Sequence, residues 1–137
     1  MPFAQDWSNE GLISVSDDWL SVPGIIGYRG DGLTAATGID PQTVLGEGTL
    51  VVDVNANLTN PNTFATGGVA EFHAGTGGNA VVALQGSGTA RAPHLVLSVN
   101  TTGLFNITVD YNLRDIDGAA DNSIQPVALQ YRVGSTG

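Results

Sequence analysis

The sequence contains no cysteine and no lysine. Without thiols there is no disulfide framework and no thiolate metal site, so packing and backbone pairing must hold the fold. Positive charge is limited to four arginines against thirteen acidic residues, a formal net charge of -9. Such a surface repels phosphate backbones, which argues against nucleic acid as a direct partner and suits divalent cations and neutral glycans. No apolar run approaches the ~20 residues of a membrane span, so no membrane insertion is expected. Helix-favouring runs of Ala, Leu, Glu and Lys are missing as well. The opening residues 1–7 have neither a basic nor an apolar signal region, so no signal peptide is expected there. If the protein is secreted, its mature chain would begin after the cleavage site.

What is present is a globular, β-type composition. The chain has 137 residues, the size of one domain, with 42% hydrophobic residues and nineteen glycines. Few charges and much Thr, Asn and Gly suit an all-β extracellular bacterial domain. We expect a single domain over 1–137, loop-rich over 1–47, with the main strands over 48–137.

The pattern is strongest at 104–125, LFNITVDYNLRDIDGAADNSIQ. Phe105, Ile107, Val109, Tyr111 and Leu113 alternate with Asn106, Thr108, Asp110, Asn112 and Arg114. That period predicts a half-buried strand with its apolar side inward. The alternation resumes at Val127, Leu129, Tyr131 and Val133 after an acidic turn. The expectation is a central hairpin over 104–133 with its odd-numbered residues in the core. On that register Val109→Asp buries an unpaired charge and destabilises strongly.

Other strands are expected near Ile25, Ile26 and Tyr28, at Leu50, Val52 and Val54, over 69–73, over 79–85, and at Leu95, Leu97 and Val99, with a short one over 11–16. Val22-Pro23-Gly24 and 57–68 are turn-forming. Together these predict an antiparallel β-sandwich, jelly-roll-like, of about seven or eight strands. Trp7, Trp19 and Tyr28 either plug one end of it or form an exposed platform, and plugging is the commoner fate of large aromatics. Val-Ala-Leu-Gln occurs twice, at 82–85 and 127–130; two core strands of the same apolar pattern explain it.

Three sites suggest themselves. The acidic turn supplies Asp115, Asp117, Asp121 and Asn122 around Gly118, oxygens and flexibility that suit Ca2+. Leu113 stands where a fuller calcium loop would have its first Asp, and the spacing departs from an EF-hand. The same residues also make an ordinary solvated turn. The polar side of the hairpin, Asn106, Thr108, Asp110, Asn112 and Arg114 with Gln130 and Arg132, could hydrogen-bond a glycan, or be the plain solvent side of a sheet. Asp17, Asp18, Asp53, Glu71 and Asp110 are available as paired carboxylates, but no spacing brings two together. His73 and His94 lack zinc-type spacing, and no G-x-S-x-G elbow occurs. Arg29-Gly30-Asp31 and the Asn57, Asn100 and Asn106 sequons are explained by composition.

Several segments taken in order resemble a known module: Asp18-Trp19 with Val22-Pro23-Gly24, ALQGSG at 83–88, NTTG at 100–103, VDYNLR at 109–114 and VALQYRVG at 127–134. They are similar to an N-terminal β-sandwich module of secreted bacterial proteins. It is found ahead of lamin-tail or endonuclease/exonuclease/phosphatase-like domains, or in proteins with C-terminal sorting signals. The resemblance implies the fold and an extracellular or cell-surface location, and it brings no catalytic residues; in a nuclease parent the chemistry would lie downstream of Gly137. The functional expectation is a non-catalytic binding or accessory module contacting a glycan or extracellular protein, with calcium as a structural ion. One alternative is a self-assembling surface or filament protein that pairs through strand edges. Another is a hydrolase with dispersed carboxylates.

Overall fold

The computed structural model describes residues 2–30, 54–73, 80–116 and 126–134. Within them the chain is all-β: five strands, one 3-10 turn and two sheets. β1 is Ile25–Tyr28, β2 Asn55–Leu58, β3 Gly68–Phe72, β4 Val81–Gln85 and β5 His94–Leu97. The first sheet pairs β1 with β5 antiparallel. The second has the order β2-β3-β4, parallel between β2 and β3 and antiparallel between β3 and β4.

Local chemistry sets these boundaries. The Pro23-Gly24 turn precedes β1, with Gly24 at φ +66. Asn60 accepts from the Asn62 N–H and starts the 3-10 turn Pro61–Thr63, where Pro61 has no N–H to leave orphaned. After β4 the chain turns through Ser87, whose N–H bonds the Ala90 carbonyl at 2.8 Å.

β3 is central and buried on both sides, along all five residues. Its Val69 meets Ile25 of β1 and Val54, just before β2, in a core shared by the two sheets. The rest of that core comes from the N-terminal loops: Ile13, Trp19 and Val22. Successive Asx-type turns organise those loops. Asp6, Asn9 and Asp18 each accept a backbone N–H two residues on. The Ser8 backbone N–H and hydroxyl hold the Asp6 carboxyl below the usual carboxylate range. Trp19 is 8% exposed and Trp7 packs on the cluster's margin, so the tryptophans plug the sheets. Tyr28 is half-buried and stacks on His94 with centroids 5.1 Å apart.

The strands expected over 69–73 and 79–85, and those at Ile25 and Leu95, are present with small boundary shifts. Residues 50–53 lie outside the described residues, and 11–16 form turns and bends.

The main departure is at the hairpin. Residues 104–116 and 126–134 have no strand, and every residue from 97 to 115 is exposed. The apolar parity that should line a core faces water: Phe105 is 84% exposed, Val109 54% and Tyr131 93%. Alternation specifies which side of a strand is apolar, but supplies no partner to cover it. An Asp at position 109 would therefore meet solvent. Val109→Asp is expected to unfold within about 0.5 kcal/mol of the parent, as exposed substitutions do. A fall in thermal midpoint as large as that of a core charge would restore the buried register.

Candidate functional site

Two places in the fold depart from a plain sheet protein. One is an acid–histidine cluster at the end of β3, around the buried Glu71, the other the exposed stretch after β5.

The cluster is built around Glu71, a charged residue only 4% exposed. Glu71 and His73 sit two positions apart, so they project to the same side of the chain. The Glu71 Oε1 lies 3.1 Å from His73 Nε2, and His73 Nδ1 lies 3.6 Å from Glu10 Oε2. The other Glu71 oxygen accepts the Asn57 backbone N–H at 2.7 Å. That bond has a structural cause. β2 advances three residues, from Asn55 to Leu58, while β3 advances two, from Ala70 to Phe72. The extra residue is a bulge, which removes a ladder bond and leaves a backbone group to satisfy. Asn57 adopts φ +58 there, a conformation Asn tolerates better than most residues. Its Nδ2 donates to the Ser14 carbonyl at 2.8 Å. Glu71 thus replaces the missing ladder acceptor with a charge-assisted one.

This arrangement clasps the sheet and offers little chemistry. The two His73 nitrogens face two different carboxylates, so the imidazole bridges them and does not converge with them on one point. Among the described residues no group of three or more His, Asp or Glu side chains is placed to hold a metal ion. Glu71 is too enclosed to meet a substrate, and of the other expected carboxylates Asp53 lies outside the described residues. Sequence reasoning misses the cluster, because neither Glu71 nor His73 carries a catalytic or metal-type spacing by itself. The signal was there: a charge in the middle of Val69-Ala70-Glu71-Phe72, with a histidine two residues along.

The expected calcium ligands divide. Asp115 is described and exposed, while Asp117, Asp121 and Asn122 lie outside the described residues. The expected glycan contacts Asn106, Thr108, Asp110, Asn112 and Arg114 are all exposed, as is Gln130, and Arg132 is partly covered. They do not share a sheet face, because no sheet forms there among the described residues. Asn106 also takes φ +56, which breaks the strand path just after Phe105.

The stretch itself is the second feature. It leaves β5 at Leu97 and turns at Thr101, whose carbonyl accepts the Leu104 N–H at 2.9 Å. It then presents Phe105, Ile107, Val109, Tyr111 and Leu113, and the described run 126–134 presents Val127, Leu129, Tyr131 and Val133. Each of these side chains is more than half exposed. Nine large apolar side chains are thus left in solvent along these two described runs. No family model matches this chain, and comparison with curated proteins and with solved structures found no match to it.

Proposed function

We propose that this chain is a non-catalytic, extracellular accessory module that binds its partner by β-strand addition through residues 104–113. The observation that carries the reading is the strict apolar alternation of a stretch left exposed and without a ladder. A donated strand needs this combination: a run outside any sheet ladder of its own, whose backbone can pair with a partner, and alternate apolar side chains for register. Burying one Val, Leu, Ile or Phe side chain contributes roughly 1.5–3 kcal/mol. Several of them outweigh the cost of ordering such a segment at about 1–2 kcal/mol per residue only when the backbone bonds also form.

Once docked, Asn106, Thr108, Asp110 and Asn112 become the outer side of an added strand, and a glycan would be contacted there. The enclosed Glu71 carboxylate favours this reading over a hydrolase.

Amide hydrogen exchange of the dilute protein tests it. Amides of 105–113 should exchange at the rate of an unprotected chain, while those of β3 are strongly protected. Core-level protection in 105–113 would mean that the segment is already paired within its own chain, and strand donation would be lost.

A further inference from the structure

We infer that this chain carries an endoprotease cleavage site at the Tyr111–Asn112 bond, for a protease whose specificity pocket is apolar and takes an aromatic ring. The inference goes beyond partner binding and requires no partner. Three observations carry it: where the core ends, which aromatic residues are accessible, and how the backbone runs around them.

The core ends before the site. Among the described residues every buried apolar side chain lies between Ile13 and Ala90, and the last strand, β5, ends at Leu97. From 97 to 115 every residue is exposed, and none from 98 to 116 is in a strand. A protease binds its substrate as an extended chain, through main-chain groups on both sides of the bond it cuts. A strand held in a ladder must open before it can be bound in this way. An exposed run outside a ladder needs no such opening, which is why nicking concentrates in such runs.

The side chain that fills the specificity pocket selects the bond. With no lysine and four arginines, bonds for a basic-selective protease are scarce. Most of the aromatic residues are withdrawn. Trp19 and Phe72 are buried, Trp7 packs on the core, Tyr28 lies in β1 stacked on His94, Phe64 meets Phe72 edge-on, and Phe3 lies beside Gly24. Phe105, Tyr111 and Tyr131 are each more than half exposed.

The backbone separates these three. Phe105 follows the turn that closes Thr101 on Leu104 and precedes Asn106 at φ +56, so the chain bends on both sides of it. Tyr131 is followed by Arg132, which is partly covered and has interaction partners of its own. Around Tyr111 no residue from Ile107 to Asp115 has a positive φ. The run therefore offers Thr108 to Asp110 ahead of the bond and Asn112 and Leu113 behind it. In hydrolysis the C–N bond breaks, the hydroxyl of water joins the Tyr111 carbonyl carbon and a proton goes to the Asn112 nitrogen. The products are a carboxylate at Tyr111 and an amine at Asn112. Residues 1–111 retain both described sheets and carry Phe105, Ile107, Val109 and Tyr111 on an arm with a new C-terminal end.

Limited digestion of the full chain by chymotrypsin, as the probe for this pocket, tests the site, with products weighed by mass spectrometry. The first cut should fall after Tyr111, and the product 1–111 should accumulate with every bond before Leu97 intact. Tyr111→Thr, at an exposed position, should melt with the parent and slow that cut by more than about tenfold, the scale on which an apolar pocket discriminates. Phe105→Thr should leave the first cut where it is. The digestion of the parent decides the matter even where a variant fails to fold. A first cut after Phe105 or Tyr131, cleavage before Leu97 as fast as after Tyr111, or a Tyr111→Thr chain cut at the same bond at the parent's rate overturns the inference. So does a parent that resists digestion. Resistance with fast amide exchange over 105–113 leaves strand addition standing, whereas resistance with protected amides removes both.

Discussion

Trp19→Ala is expected to cost about 3–5 kcal/mol of stability, the range for truncating a large buried aromatic. That is a large part of the ~5–15 kcal/mol that holds a domain of ordinary stability together. The indole is 8% exposed and joins Ile13 and Val22 of the N-terminal loops to Ile25 of β1 and Val69 of β3. It also lies flat against Gly27, where a Cβ would overlap the ring. The glycine weakens β1 as a strand but opens the space the indole fills. Truncation therefore removes the contact between the sheets and leaves a void beside a residue that cannot fill it. Trp19→Phe should lose less, because the Trp19 Nε1 is buried without a hydrogen-bond acceptor and phenylalanine has no such donor. Urea unfolding measures both. A loss below about 1 kcal/mol for Trp19→Ala would mean that the loops are not part of the cooperative core.

Glu71→Ala is the second large effect, expected at about 1–3 kcal/mol. The Asn57 N–H at the bulge loses its acceptor, and no strand bond is available to replace it. Glu71→Gln retains a carbonyl oxygen for that N–H and gives up only the charge facing His73. It should therefore keep more than half of the stability that Glu71→Ala loses. Equal losses in the two variants would assign the contribution to the His73 contact and not to the bulge. The imidazole contact alone should be worth less than the backbone bond, since His73 and Glu10 are both partly solvated.

These two residues show what was readable in the chain and what was not. Strands at Val69, Ala83 and Leu95 could be found because runs of β-branched and aliphatic residues between turn signals report on local geometry. The bulge could not be found, because it arises from a parallel pairing between β2 and β3 that no single segment encodes. The core contribution of Ile13, Trp19 and Val22 was equally hidden: irregular loops have no periodicity, and only tertiary contact shows which of their apolar residues are inside. The hairpin over 104–133 was the reverse case. Its alternation is the clearest in the sequence, yet residues 104–116 and 126–134 form no strand, because period 2 declares which residues want burial and says nothing about whose surface provides it. The polar row from Asn106 to Arg114 followed the same logic and lost its common face with the hairpin. His73 and Glu71 are visible as residue types, but their closeness becomes meaningful only with Glu71 on the buried strand β3 and His73 just past its end.

The pairing of β1 with β5 carries a kinetic consequence. Ile25 meets Leu97 and Tyr28 meets His94, so this sheet joins the first strand of the described chain to the last. β3 and β4 are near neighbours in sequence and can close early, while β1 must wait for almost everything between it and β5. Such long-range closure slows folding far more than it affects stability, since each doubling of an intervening loop adds only about 0.6 kcal/mol of closure entropy. On a growing or translocating chain, β1 is made long before its partner strand arrives. During that interval Ile25 has no strand beside it, and the last strand to arrive sets when the two layers lock.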